Sequence, residues 1–343
     1  MKSKSRTLAL AIVFTGAVMG CTFAPGQAQG RSAGGQGQPN VSSEEQTLAH
    51  NIMSAADPAA KLKAAAELIK KYPKTSVRPR VARTIASEIA SVKEAPQKLI
   101  LAQEYQKTFN QPSEAELIIP ILIQTYADAN NLDEAFAKGS EFLSRNPDDL
   151  GTLIQLLSIG TDQTKKRNPK FIGQSIQYGG HAIELIEANK KPASIDDAGW
   201  KQYQTVMLPD LYRSMGLLYM AKGERAQAKA QYTKSSQLAP SDAFSFLMLA
   251  GLVNEEYQAE AKHFQSMPEG PAKTDELKKA QALLDAVIDA YAHAVAVSEG
   301  NATLEQFRQQ DLQDLETYYK FRHKGSTEGM QQLIDKYKPS TKP

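Results

Sequence analysis

The chain has 343 residues, 41% of them hydrophobic, and its 40 Lys and Arg against 38 Asp and Glu leave a formal net charge of +2. That balance excludes the strongly basic field that nucleic-acid binding draws on, and the hydrophobic share is ordinary for a folded soluble protein. A single cysteine, Cys21, excludes a disulfide framework.

Lys2, Lys4 and Arg6 precede thirteen uncharged residues, Leu8 to Gly20, a run too short to span a bilayer as a stable helix. Residues 1–20 therefore read as an export signal. The run closes on Val18-Met19-Gly20-Cys21, which resembles the bacterial lipobox, with Met19 where a small residue is usual. The resemblance implies a lipid on Cys21, which becomes the mature N-terminus of a lipoprotein. Thr22 stands where Asp would resemble an inner-membrane retention signal, so the implied address is the outer membrane, facing the periplasm. A plain signal peptide cleaved after Gly26-Gln27-Ala28 also fits, and leaves a soluble periplasmic or secreted protein. Residues 21–43 that follow are mostly Gly, Gln, Ser, Ala and Pro, with Arg31 their one charge. Such a segment cannot bury enough apolar area to offset its chain entropy. It is expected to be a flexible tether with an end-to-end distance of about 25 Å.

From Glu44 to about Tyr337 the pattern is helix after helix, and no segment shows sustained alternation with β-branched residues. The fold class is all-α. Asp57-Pro58 places a cap before a proline at the first helical position. Ser113 with Glu116, Asn131 with Glu134, and Thr303 with Gln306 have capping-box spacing. Asp196-Asp197 opens a helix and reads as a cap rather than as paired catalytic carboxylates. Prolines 73, 112, 147 and 240 follow predicted helix ends, and the first three are 39 and 35 residues apart, the scale of a repeat.

The clearest unit is 209–242. Tyr212, Met215, Gly216 and Tyr219 fall on one helical stripe, and Gly223 ends that helix. Ala228 and Tyr232 fall on the facing stripe of a second helix, which Pro240 stops. Gly216 and Ala228 are small, which predicts that the two helices approach closely there. This segment resembles the tetratricopeptide repeat, whose pattern is aromatic-x-x-Leu-Gly-x-x-Tyr, then Ala-x-x-x-Phe, then Pro. A second copy at 116–149 keeps Ile119, Leu122, Tyr126, Ala135, Phe142 and Pro147, with Ile123 where a small residue and Gly139 where an aromatic is usual. A third at 42–75 keeps Leu48, Ala49, Ile52, Leu68 and Pro73, with Lys61 where Ala is expected. Residues 76–112 read as a further helix pair, while 150–192 and 243–298 start like repeats and carry insertions between their helices. The resemblance implies a right-handed α-solenoid of antiparallel helix pairs over 44–302, closed by capping helices and a tail over 303–343. It also implies a scaffold that binds a protein or peptide partner on its concave surface and is not an enzyme.

No constellation of residues argues for catalysis. His50, His181, His263, His293 and His323 are far apart, without zinc-ligand spacing. There is no phosphate-binding Gly-x-x-x-x-Gly-Lys-Ser/Thr and no Gly-x-Ser-x-Gly elbow. The expectation is no cofactor, no metal and no small-molecule substrate, with a membrane reached only through the N-terminal lipid. Residues 61–98 hold ten Lys or Arg against three Glu, and 114–150 hold eight acids against two bases, which reads as solvated helix faces.

A second stripe on each first helix is expected to face the groove: Asp210, Arg213, Leu217 and Met220; then Phe244, Leu247, Gly251 and Asn254; and Leu117, Pro120, Gln124 and Ala127 in the 116–149 copy. The paired Lys and Asn by which chaperone-binding members clamp a terminal carboxylate are not matched within one helix. The candidate partner-binding groove is therefore Arg213 with Leu217, Met220, Phe244 and Leu247, suited to an amphipathic helix or extended segment. The competing occupant is the C-terminal helix 303–322, with Leu304, Phe307, Leu315 and Tyr319. Two further readings stay open: an envelope-assembly factor similar to the helical-repeat lipoprotein of the outer-membrane β-barrel assembly machinery, and an enzyme or ligand receptor with a site in the insertions at 161–208 or 258–273.

Overall fold

The computed structural model describes residues 42–338. The export signal, Cys21 and the tether up to residue 41 lie outside the described residues. Among the described residues the regular elements are helices, and they fall into two compact units that divide at residues 155 and 156. In the first unit are α1 (Ser43–Ser54), α2 (Pro58–Lys71), α3 (Arg78–Ala90), α4 (Ala95–Thr108), α5 (Pro112–Ala115), a 3-10 turn (Glu116–Ile118), α6 (Ile119–Asp128) and α7 (Leu132–Arg145). The division falls within α8 (Leu150–Lys165). The second unit continues with α9 (Ile172–Glu187), α10 (Asp197–Lys222), α11 (Arg225–Leu238), α12 (Ala243–Ser266), α13 (Pro271–Val297), α14 (Glu305–Arg322) and α15 (Met330–Lys336). Helices joined by short turns pack on one another as α1 on α2, α3 on α4, α6 on α7, α10 on α11 and α12 on α13. Each unit is thus a run of antiparallel helix pairs, the all-α arrangement the sequence predicts.

The helix starts decide how literally the capping signals can be taken. Asp57 does cap α2, accepting from the Ala60 amide at 2.8 Å with Pro58 at the first position. Asp196 caps α10 through the Gly199 amide at 2.7 Å. Ser42 and Glu45 form a reciprocal capping box that the spacing rule had not singled out. The three predicted boxes do not form. Ser113 lies inside α5, which starts at Pro112; Asn131 makes no side-chain cap bond; and Leu304 is the residue before α14, with the Thr303 amide bonded to Asn301 instead. At the other end, Gly223 adopts φ 84°, the left-handed turn that lets the Glu224 amide reach back to the Tyr219 carbonyl and close α10.

The departures from the repeat pattern have physical accommodations. Lys61, at the alanine position, is buried and its ammonium lies 2.5 Å from Glu88 of α3. Arg78 and Glu114 form a buried pair, the guanidinium Nε lying 2.8 and 2.9 Å from the two carboxylate oxygens, with Asn110 on the guanidinium's far side at 3.3 Å. The Tyr105 hydroxyl donates to the Glu114 carbonyl, and burial pushes its acidity well below that of free tyrosine. The insertions expected at 161–208 and 258–273 are largely helix, apart from the irregular connections at 166–171, 188–196 and 267–270. Much of their length goes into longer helices: α10 runs 26 residues, α12 24 and α13 27. Although α13 is long and apolar enough to cross a membrane, its Leu284, Val287, Ile288, Tyr291 and Val295 are buried in the core it shares with α12, α14 and α15.

Candidate functional site

The repeat signature sits at the junction of α9, α10 and α11. Met215 and Tyr212 are buried on the α9 side of α10. The Tyr212 hydroxyl donates to Glu187 at 2.5 Å, and burial together with that carboxylate raises its pKa. Gly179 of α9 has no room for a side chain, since a Cβ there would lie 2.7 Å from the Met215 sulfur. On the opposite side, a Cβ on Gly216 would lie 2.8 Å from two carbons of the Tyr232 ring. The glycine is therefore small because of Tyr232, not because of Ala228 as the sequence suggests, and the close approach lies one turn further along α11. Ala228 and Tyr232 are both fully buried, Tyr219 is half-buried and Pro240 is exposed beyond the end of α11. The Tyr232 ring also meets Phe244 edge-on at 6.2 Å, while its hydroxyl has no hydrogen-bond partner.

Pro209 falls inside α10 and is buried. A proline there removes one backbone donor and crowds the preceding turn. Beside it lies a polar cluster that sequence reasoning missed. The Ser235 hydroxyl donates to the Pro209 carbonyl at 2.9 Å, and the Ser245 hydroxyl lies 3.0 Å from Ser235 and 2.5 Å from Asp242. Asp242 in turn holds Arg213 at 3.2 Å, and Asp210 holds the same guanidinium at 2.6 Å. The signal was present as Ser235, Asp242 and Ser245, but nothing in their spacing marks these three polar residues as one another's partners.

These contacts redistribute the expected groove. Arg213 is neutralised by two carboxylates and ties α10 to the start of α12. Phe244 is a core residue against Tyr232 and does not line an open surface, which corrects its place in the candidate groove. Leu217 and Met220 of α10 and Leu247 of α12 are half-buried. Arg225 lies over Met220, donating to its carbonyl at 2.9 Å. Leu247 leans on the core formed by α12, α13, α14 and α15. Asn254 is committed elsewhere, donating to the Tyr291 hydroxyl at 3.0 Å and accepting from Tyr318 at 2.8 Å. Leu315 and Tyr319 of α14 are buried in that same core, so the C-terminal helix covers the Asn254 end of the stripe. In the 116–149 copy, Pro120 and Gln124 are exposed and Gln124 donates to Asp128, while Leu117 and Ala127 are half-buried.

Among the described residues no group of three His, Cys, Asp or Glu side chains is placed to hold a metal ion. His293 is stacked between Phe246 at 3.9 Å and Tyr337 at 4.2 Å, and burial lowers its pKa. His181 lies 3.6 Å from Glu184. His50, His263 and His323 are exposed and separate.

No family model matches the chain, and no curated protein matches it. Among solved structures it is similar to a tetratricopeptide repeat protein from Parabacteroides merdae, at 12% identity over 85% of this chain and 96% of that one, with a TM-score of 0.38. It is also similar to the C-terminal part of a TPR repeat-containing protein from Cytophaga hutchinsonii, at 12% identity over 86% of this chain and 99% of that one, with a TM-score of 0.41.

Proposed function

We propose that this chain is a non-catalytic interaction module of the bacterial cell envelope, which binds a segment of a protein partner against the first helices of its pairs in the second unit. The observation that supports it is that Leu217 and Met220 on α10 are half-exposed, as is Leu247 on α12. Arg213 and Asp242 hold these two helices together. A partly exposed apolar strip on a rigid, ion-paired frame suits an amphipathic helix or extended segment, and the methionine adapts to its shape. The test is a Leu217→Asp, Met220→Asp double variant of the full chain. It is expected to keep the wild-type melting curve and lose the partner that the wild type recovers. A large fall in melting temperature would place these residues in the core and end the reading.

Anchoring is part of the same proposal. The lipobox-like Val18-Met19-Gly20-Cys21 supports a lipid on Cys21, with the tether that follows carrying the helical units away from the outer membrane. Cys21→Ser is expected to move the protein from the membrane fraction to the soluble fraction. A wild type that is already soluble with Gln29 as its N-terminus would overturn the anchor and leave the interaction module standing.

A further inference from the structure

The N-terminal helices carry a charge imbalance that ion pairing within the fold does not absorb. On α1 and α3 every carboxylate is engaged: Glu44 holds Lys71 and Tyr72, Glu45 closes the Ser42 cap, and Glu88 holds Lys61. The cations are treated differently. Arg78 is buried against Glu114, whereas Arg80 is exposed with no ion pair among the described residues, and Arg83 reaches only the Pro79 carbonyl at 3.2 Å. Between α1 and α3 runs a cleft of about 290 Å³, lined by the apolar Ala49, Met53, Val77 and Val81 and by the polar Gln46, His50 and Arg80. Arg83 follows Arg80 by three residues and so lies on the same side of α3.

We propose that this cleft takes an acidic segment of another protein, with one apolar side chain seated on its apolar lining and carboxylates against Arg80, Arg83 and His50. The size fits one or two side chains and not a whole cofactor or drug-sized ligand. Met53 and Val77 are half-buried, so the apolar lining is still reachable. Arginine presents a planar fork that meets a carboxylate with two parallel bonds, and no acid on α1 or α3 remains to compete for it. The chain's own residues 22–41 are a poor occupant, because their one charged side chain is Arg31 and they bring no carboxylate. This site is separate from the strip on α10 and α12 and does not depend on it.

The test uses full-length protein and a fluorescein-labelled peptide, Asp-Glu-Leu-Asp-Leu-Glu-Asp, followed by anisotropy. Saturable binding is expected, weakened by salt. An Arg80→Glu, Arg83→Glu variant with an unchanged melting curve should lose about tenfold or more in affinity, a charge-assisted contact of ordinary strength. The Leu217→Asp, Met220→Asp variant should bind the peptide like the wild type, which keeps this result apart from that of the proposed groove. Four results would overturn the proposal: no saturable binding; equal binding of the peptide with lysines for its acids; binding untouched by the charge reversal; or tighter, reversal-sensitive binding to phosphatidylglycerol vesicles, which would make the partner a lipid surface. Self-association abolished by the same reversal would overturn it too, in favour of the acidic 114–150 stretch of a second copy.

Discussion

Two glycines sit inside α10 and α12 in opposite circumstances, and alanine at each should move stability in opposite directions. Gly216 in α10 faces the Tyr232 ring, where a Cβ would stand 2.8 Å from ring carbons against the 3.4 Å at which ordinary contact begins, so the ring must retreat by about 0.6 Å. That ring is fully buried and meets Phe244 edge-on, which restricts its retreat. Overpacking of this kind costs roughly 1–3 kcal/mol, while replacing glycine by alanine in a helix interior returns roughly 1 kcal/mol. Gly216→Ala is therefore expected to destabilise by about 1 kcal/mol. Gly251 in α12 has nothing within 4 Å of its Cβ position and is exposed, so Gly251→Ala should stabilise by roughly 1 kcal/mol through helix propensity alone. The assay is urea denaturation followed by helical circular dichroism, comparing midpoints at constant slope. In a Tyr232→Leu background the Gly216 penalty should vanish, because the clash is with that ring. Equal shifts at the two glycines, or a Gly216 penalty that survives the loss of Tyr232, would refute the packing argument.

Breaking the buried pair by Arg78→Met leaves Glu114 buried without its cation and should cost roughly 3–5 kcal/mol in the urea midpoint, whereas Arg78→Met with Glu114→Leu should recover most of that. A double variant as unstable as the single one would mean the pair is not isolated from the rest of the core. Asp311 on α14 has a buried carboxylate oxygen without a hydrogen-bond partner, and burial, helped by Asp314, pushes its pKa up to about 8. Tyr291 of α13 and Asp314 face the same cluster. The folded state then keeps a proton that the unfolded chain gives up near pH 4, so stability should fall as pH rises from about 4 to about 8. Asp311→Asn should flatten that slope and raise stability at neutral pH, measured by urea melts at pH 5, 6.5 and 8; a variant with the wild-type slope would refute the assignment to Asp311.

How much of this was legible in the sequence depends on how local the cause is. Helix periodicity and the turn residues are local, so the helical pairs and the ends at Gly223 and Pro240 could be read directly. Caps are less so: Asp57 and Asp196 work because each sits where the chain enters a helix, but Ser113 was overtaken by the proline one residue earlier, which starts α5 for itself. The role of Gly216 was legible as a demand for space and not as the identity of its neighbour, because which residue of α11 stands opposite depends on how the two helices cross. Phe244 was misplaced for the same reason. A stripe counted along one helix cannot reveal that Tyr232 on another has turned toward it.

Charge is the least local quantity, and it is where sequence and structure diverge most. Counted along the chain, residues 61–98 are simply basic, and the natural reading is a solvated face. Space separates five of those ten cations into two kinds. Lys61, Lys71 and Arg78 are spent on carboxylates 27 to 36 residues away, and they hold one helix pair against another or one helix against its partner. Arg80 and Arg83 are left over on α3, on the side where α1 leaves an apolar cleft beside them. In the second unit the arithmetic runs the other way, since Arg213, the one cation of the expected groove, is consumed by Asp210 and Asp242. A charge already paired twice contributes rigidity to the frame and little attraction to a ligand, whereas an unpaired one beside an apolar lining contributes both steering and specificity. Under the two proposals, Leu217, Met220 and Leu247 would be recognised by shape on a frame fastened by Arg213, and the α1–α3 cleft by charge.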